Sequence, residues 1–407
     1  MGSRSGGLPE YQLSCKEGST MKRHLFFLIG GMLLVSSLVF FACEDRHPVP
    51  TEPQHQASLP TISAETQADL AQLERIGSDP MAYYATLTDH RTVEVPAGSH
   101  NALQAAIAAA GREGVVVVER GMHTEDNMVT ISFPVTLLGE RGAIITFDTQ
   151  PLTIEPPPAG TVLDVGLYIF NTRDVNIWGL TIQPLGPIGG TAILVQNSPD
   201  VVIGGNTIRE HQWSVLVQNG DRVKLWGNRV AASLAWQTGV IPESEGMILI
   251  NGTRGLIANN DVSGGFFGIW PCDTIGVYMN NFTHGNMYGV ILCCVPEGSF
   301  PLPNGEVVGS RIPTTNWLVV NNRSSDNFDT GYLVIDGANN DLLVNNAASG
   351  NPVYDMELSG DSNRFGFLTP HCRNIRVIAG AANPLIKNCG ENNTIIGGRL
   401  DQNDPCR

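Results

Sequence analysis

Charge is what this chain of 407 residues has little of: 15% of it is Asp, Glu, Lys or Arg, against about 25% in an average soluble domain. Coiled coils and helical bundles are excluded, because their solvent faces need many more charged residues and Ala/Leu-rich turns. Basic residues are the scarcer sign, 24 against 39 acidic, and the formal net charge is -15. Residues 1–42 contribute +2 of this, through Arg4, Lys16, Lys22 and Arg23 against Glu10 and Glu17, so everything from Cys43 onward carries -17. Such a body has no general attraction for phosphate backbones or anionic membrane surfaces, and nucleic acid is set aside as a partner. The 8 cysteines form no CxxC or Cys/His spacing of the zinc-binding kind. What the chain does have is 42% hydrophobic residues, 45 Gly and about thirty Asn. The first excludes a wholly disordered chain, and the other two call for a turn-rich, extended β architecture.

From Met21 the chain reads MKRHLFFLIGGMLLVSSLVFFAC: a basic pair (Lys22, Arg23), an apolar run from Leu25 to Phe41, then Ala42 before Cys43. This is the order of an export signal, with Met21 read as the start and residues 1–20 as an upstream extension. Ala-Cys at the end of the run resembles a bacterial lipoprotein signal, although Phe40 stands where Leu is usual. The resemblance implies lipidation of Cys43 and a body held at a membrane of the bacterial cell envelope, facing periplasm or exterior. An ordinary secretory signal or a retained single-pass anchor would equally place the body outside the cytoplasm. Setting aside Cys15 and Cys43 leaves Cys272, Cys293, Cys294, Cys372, Cys389 and Cys406, and an even number in an exported chain favours disulfides.

The chain divides into an upstream extension with signal (1–42), a polar Pro-containing tether (43–63), a helical lead-in (64–92), a long repetitive body (93–399) and a short tail (400–407). Leu70, Leu73 and Ile76 give Ala64–Ile76 helical spacing, and ALQAAIAAA reads as a second helix with Asn101 as its cap and Gly111 as its stop. Val93–Val95, Val115–Gly121, Val129–Gly139 and Ala143–Phe147 read as strands.

From about residue 166 the body repeats. Aligning DVNIWGLTI, DVVIGGNTI, RVKLWGNRV, GLIANNDV, GVYMNNFT, WLVVNNRS and DLLVNNAA puts Asn206, Asn228, Asn260, Asn281, Asn322 and Asn346 in one column, with spacings of 22, 32, 21, 41 and 24 residues. A second motif recurs between them: AILVQN, SVLVQN, MILIN, GIWPCD, GVILCC and GYLVID. Its strands alternate inward positions such as Ile193/Val195, Val215/Val217, Met247/Leu249, Val290/Leu292 and Tyr332/Val334 with outward ones. None buries its apolar face alone, whereas coils stacked about 4.8 Å apart bury a continuous cylinder. A recurring Asn suits the turn, through its tolerance of left-handed dihedrals and an amide that can bond from coil to coil.

The segment from about Val93 to Arg399, with PAGSHNALQAAIAAAGREGVVVVERG ahead of the GNT/NN coils, resembles the right-handed parallel β-helix proteins of the pectin-lyase-like class, particularly their generic repeat-bearing members. The resemblance implies an all-β, right-handed parallel β-helix solenoid with the helix around Leu103 and Ile107 capping its N-terminal end.

Side chains that break the repeat are the candidates for function. Just after the asparagine turn the aligned coils offer Arg229, Asp261, Phe282 and Arg323 in one column, with His284 and Asp326 close behind. A base, a carboxylate and cations on one face suit proton abstraction from C5 of a uronic acid: the cations stabilise the enolate while the base takes the proton. Arg229, Asp261, His284, Arg323 and Asp326 are therefore the candidate catalytic residues. Trp270, at an outward position, and Trp236, in the insertion Ser233–Glu245, are the candidate sugar-stacking residues. Glu243 and Glu245 could pair with Asp261 as glycosidase carboxylates, and Glu210, His211 and Trp213 form a further polar-aromatic group. Cys272 and Cys293 share a column in consecutive coils, at a spacing a disulfide tolerates. A second pair is expected among Cys372, Cys389 and Cys406, with Cys294 available to the remaining thiol.

By the resemblance, family enzymes acting on uronates often hold Ca2+ with carboxylates. This chain has no clustered acidic calcium motif, no Asp-Pro-His triplet like that of alginate epimerases and no RxxK-type lyase signature. No metal or cofactor is expected, calcium entering by resemblance alone. The expectation is an exported, lipid-anchored monomer that binds or processes polysaccharide, of lyase or epimerase type if catalytic; the rival is a non-catalytic structural or adhesion module of the envelope.

Overall fold

In the computed structural model, residues 62–86, 90–150, 164–241, 243–293, 313–359, 371–381 and 383–402 are described, with short pieces between 300 and 308. The export signal, Cys43, most of the tether, Cys294, Cys406 and the end of the tail lie outside the described residues. Among the described residues no helix is long and apolar enough to cross a membrane.

Strands of three to eight residues recur up to three times per coil, and each pairs in parallel with its copies in neighbouring coils. Val215 lies between Ile193 and Met247, Ile203 between Ile177 and Leu225, and Val230 between Ile208 and Val262. Among the described residues one 21-stranded sheet makes two walls, because the long strands Glu245–Ala258 and Phe267–Met279 run from one wall into the next. A nine-stranded sheet, from Gly121–Glu125 to Ala347–Ser349, makes the third. The fold is a right-handed parallel β-helix, as expected. Every pair of inward residues named above belongs to one buried core that runs through the coils. Each such side chain contributes roughly 1.5–3 kcal/mol of burial, which no single coil could collect.

The asparagine column is a hydrogen-bonded ladder. Asn206 N donates to Asn228 Oδ1 at 3.0 Å, Asn228 N to Asn260 Oδ1 at 2.9 Å, Asn260 N to Asn281 Oδ1 at 2.9 Å, Asn281 N to Asn322 Oδ1 at 2.8 Å and Asn322 N to Asn346 Oδ1 at 3.0 Å. All six side chains are buried, and each amide also donates to a backbone carbonyl, such as Leu225 O for Asn260. One part of the expectation is corrected. The left-handed dihedral falls on the residue before each ladder asparagine: Gly205, Gly227, Asn259, Asn280, Asn321 and Asn345 have φ between 50° and 63°. The ladder residue itself can then point inward to bond while its predecessor turns the corner. A second ladder, Asn286 to Asn327 to Asn351, crosses another corner.

Among the described residues three helices precede or close the solenoid: α1 (Ala64–Ser78), α2 (Pro80–Ala85) and α3 (Leu103–Ala110). Leu103, Ala106, Ile107 and Ala110 of α3 join the core and cover the N-terminal end. Gly111 ends α3 as expected, with φ 73°. Asn101 does not cap it; Glu125 Oε1, from the nine-stranded sheet, accepts from Ala102 N at 3.0 Å and Leu103 N at 2.9 Å. Leu73 and Ile76 of α1 pack outside the long sheet with Trp178, Val202 and Leu256. There Trp178 and Trp226 flank Gly204 in one column, ring centroids 6.0 Å apart. Gly77 of α1 sits where a Cβ would collide with Trp226.

The expected staple between coils is absent: Cys272, Cys293 and Cys372 carry no disulfide. Cys272 Sγ donates to the Cys293 carbonyl at 2.6 Å, and Cys293 Sγ accepts from Trp270 Nε1 at 2.9 Å. The two thiols also interact directly in successive coils yet form no bridge, since parallel side chains make the disulfide torsion hard to reach. Burial also holds the Cys293 thiol well above its ordinary pKa, which leaves it inert as a nucleophile.

Candidate functional site

The strands that follow the ladder are three residues long, and their middle members, Ile208, Val230, Val262, Thr283, Ser324 and Ala348, are buried. The flanking residues form two columns along the solenoid, at least partly exposed except for buried Ser325. One runs Thr207, Arg229, Asp261, Phe282, Arg323, Ala347; the other runs Arg209, Ala231, Ser263, His284, Ser325, Ser349.

Four of the five candidate catalytic side chains meet on this face. His284 Nε2 lies 3.0 Å from Asp261 Oδ1, and Arg229 Nε lies 3.9 Å from Asp261 Oδ2. The His284 and Phe282 rings stack at 4.4 Å, and the Arg323 guanidinium lies over the Phe282 ring at 4.9 Å. The group is open to solvent, with Arg229 74%, Asp261 42% and His284 37% exposed. Asp326 is not part of it. It takes a left-handed turn at φ 55°, its backbone bonds Gly285 N and Ser349 O, and among the described residues its carboxylate shares no ion pair with the others. Arg209, which neighbours the Glu210, His211 and Trp213 group in sequence, is exposed in the second column; counting along the repeat to the column of His284 assigns it to this face.

Trp236 borders this face. It sits on the 3-10 turn Leu234–Thr238, and its Nε1 donates at 2.9 Å to the carbonyl of Gly264, the residue after Ser263. Its ring meets Phe266 edge-on at 5.3 Å and Phe328 at 6.0 Å. Phe328 is 52% exposed, and Leu234, on the same turn as Trp236, is also exposed, so the corner presents an apolar platform next to the charged columns. Trp270 is corrected: it faces outward but is 6% exposed, within a second buried cluster with Phe267, Tyr288 and Ile291. That burial removes it as a stacking surface.

Of the remaining candidates, Glu245, His211 and Trp213 are buried, Glu243 is half-buried and Glu210 is exposed. Glu245 is on a strand, in register between Trp213 and Phe267, and neither carboxylate oxygen finds a hydrogen bond of ordinary geometry. Burial, then the charge of Glu243, holds its pKa well above the usual carboxylate range. It cannot pair with exposed Asp261 across a sugar. His211 is fully buried with Nδ1 2.7 Å from Arg209 O, and desolvation pushes its pKa down to about 4. Among the described residues no group of three or more His, Cys, Asp or Glu is placed to hold a metal ion. A cavity of about 220 Å3 lies elsewhere, between α1, α2 and the long sheet, lined by Leu73, Tyr83, Tyr84, Asn176 and Lys224 among others.

Chemically, the face can do three things. Guanidinium groups bind carboxylates through paired hydrogen bonds. The aromatic corner can cover the apolar side of a sugar ring. An imidazole oriented by a carboxylate can accept a proton.

No family model matches the chain, and no curated protein sequence matches it. Solved structures with a similar winding include the A-module of the mannuronan C-5 epimerase AlgE4 of Azotobacter vinelandii, 14% identical, with a TM-score of 0.46 over 75% of this chain and 93% of that one. ORF18 of Geobacillus virus E2 is 10% identical with a TM-score of 0.48, over 84% and 64% of the two chains. PfbA, a surface adhesin of Streptococcus pneumoniae, is 14% identical with a TM-score of 0.44, over 74% and 85%. These likenesses concern the fold and carry no ligand or reaction to this chain.

Proposed function

We propose that this chain is an exported protein, held at the cell envelope through a lipid on Cys43, that binds polysaccharide along the outward face of its nine-stranded sheet. The observation that carries the binding reading is the contiguity of two unlike surfaces. Arg229, Asp261, His284 and Arg323 form an open polar row, and the Trp236, Phe266 and Phe328 corner begins one residue beyond it. In a chain with 24 basic residues against 39 acidic ones, exposed Arg209, Arg229 and Arg323 on one sheet face form a local site for a sugar carboxylate. The anchor rests on the sequence around Cys43 alone. Cys43→Ala should release the protein from the membrane fraction, and persistence there would remove the anchor without touching the binding face.

The test of binding is affinity electrophoresis of the full chain through gels containing a panel of acidic and neutral polysaccharides. Retardation by at least one acidic polysaccharide is expected, with Trp236→Ala and Arg323→Ala each restoring most of the free mobility. A chain retarded by none, or variants retarded as strongly as the parent, would overturn the reading and leave a rigid envelope rod.

One observation favours a second reading, in which the face also processes its ligand: the 3.0 Å contact that orients His284 on Asp261. On this reading His284 takes the proton from C5 of a uronic acid while Arg229 and Arg323 stabilise the enolate; β-elimination then breaks the C4–O bond, the leaving oxygen taking a proton from solvent, or epimerisation returns a solvent proton to the opposite face of C5. New ultraviolet absorbance from an unsaturated product, or proton exchange with solvent at C5, would appear with the parent and vanish in His284→Gln. Binding with neither signal makes the protein a non-catalytic adhesion module.

A further inference from the structure

The polar row is not uniformly basic, and its order along the axis is informative. Successive coils present Arg229, Asp261, Phe282 and Arg323. With strands about 4.8 Å apart, the two arginine backbones stand roughly 14 Å apart, separated by a carboxylate and a phenyl ring. Arg229 leans toward Asp261, whose other oxygen meets His284. Arg323 lies over Phe282 and has no carboxylate partner among the described residues.

A ligand lying on this face runs along the solenoid axis, because both the columns and the aromatic corner extend that way: Trp236 touches Phe266 and Phe328, which belong to different coils. A polysaccharide charged on every sugar would then set one carboxylate against Asp261. Like charges brought together on a half-exposed surface repel, and a built-in repulsive group of this kind is how a site rejects a near relative of its ligand. A neutral sugar at the same place meets the Asp261 oxygens with hydroxyls and the Phe282 ring with its apolar side. The next acidic sugar reaches the unpaired Arg323 guanidinium.

We propose that this face selects a polysaccharide whose acidic sugars are separated by neutral ones, and that Asp261 is the residue that rejects a uniformly charged chain. The proposal rests on the polysaccharide-binding reading above and names the class of ligand for that site.

The experiment is calorimetric titration of the full chain with three oligosaccharides of equal length: strictly alternating uronate and neutral sugar, uronate throughout, and neutral throughout. The alternating one should bind about tenfold tighter than either of the others. Asp261→Asn and Asp261→Ser should each strengthen the all-uronate ligand until the gap falls below about threefold, and Arg323→Ala should weaken the alternating ligand about tenfold. An all-uronate ligand that binds the parent as tightly as the alternating one, or a ratio unmoved by both Asp261 variants, would overturn the selectivity while leaving polysaccharide binding intact. If none of the three binds, the binding reading fails and the selectivity falls with it.

Discussion

Asn228, Asn260, Asn281 and Asn322 are each followed directly by a member of the outward row, Arg229, Asp261, Phe282 and Arg323. In the first column one residue type recurs, is buried and bonds to its own copies at 2.8 to 2.9 Å. In the second, one peptide bond away, four positions hold three residue types, and the polar ones stand open to solvent. The ladder needs identity, because each amide must present the donor and acceptor its neighbour expects. The outward row is free of that demand, so its departures from uniformity are where a ligand can be recognised.

Breaking each column in turn should separate the two roles. The largest effect is expected for Asn260→Ala, which removes the acceptor for Asn228 N and Nδ2 and the donor to Leu225 O and Asn281 Oδ1. With unsatisfied buried groups costing about 1–3 kcal/mol each, a loss of about 3 kcal/mol should show as a lower urea midpoint. Glu245→Gln sharpens the contrast from the buried side. Because burial raises the pKa of Glu245 in the fold, the folded chain keeps a proton that the unfolded chain releases, and stability falls as pH rises above the ordinary glutamate value. The variant should therefore have the higher urea midpoint at pH 8, and the two midpoints should converge toward pH 4. A smaller change is expected for Trp236→Ala, which loses its bond to Gly264 O and two edge contacts: about 1 kcal/mol, against a tenfold or greater loss of ligand affinity. Smallest of all, Asp261→Ala should shift stability by only about 0.5 kcal/mol, since its partners are solvated. Should Asp261→Ala destabilise as much as Asn260→Ala, the division between the columns would fail.

Much of the face was legible beforehand, and for a definite reason. In a solenoid the register is carried by the repeat, so aligning NN and GN dipeptides was enough to put Arg229 opposite Asp261 and Phe282 opposite Arg323. The inward pairs followed from period-two alternation in the same way. What failed was whatever the repeat does not encode. Asp326 has the right offset but sits on a left-handed turn, and among the described residues its carboxylate makes no ion pair with the group. Trp270 has an outward position and is nevertheless buried. Cys272 and Cys293 share the expected column and interact, but no disulfide joins them. The cap on α3 is Glu125, more than twenty residues downstream, where Asn101 was the local candidate.

By itself, then, the sequence determined the winding: short alternating strands and a recurring asparagine admit one stable solution, coils stacked so that identical positions become vertical neighbours. Only the tertiary structure decided which outward positions stay open. Exposure of the Asp261 and His284 face, and the cover over Trp178, depend on where segments outside the repeat come to rest, α1 among them. The physical reason is that periodicity is a local property summed along the axis, whereas covering a surface is a long-range contact between unlike segments, for which the repeat holds no signal.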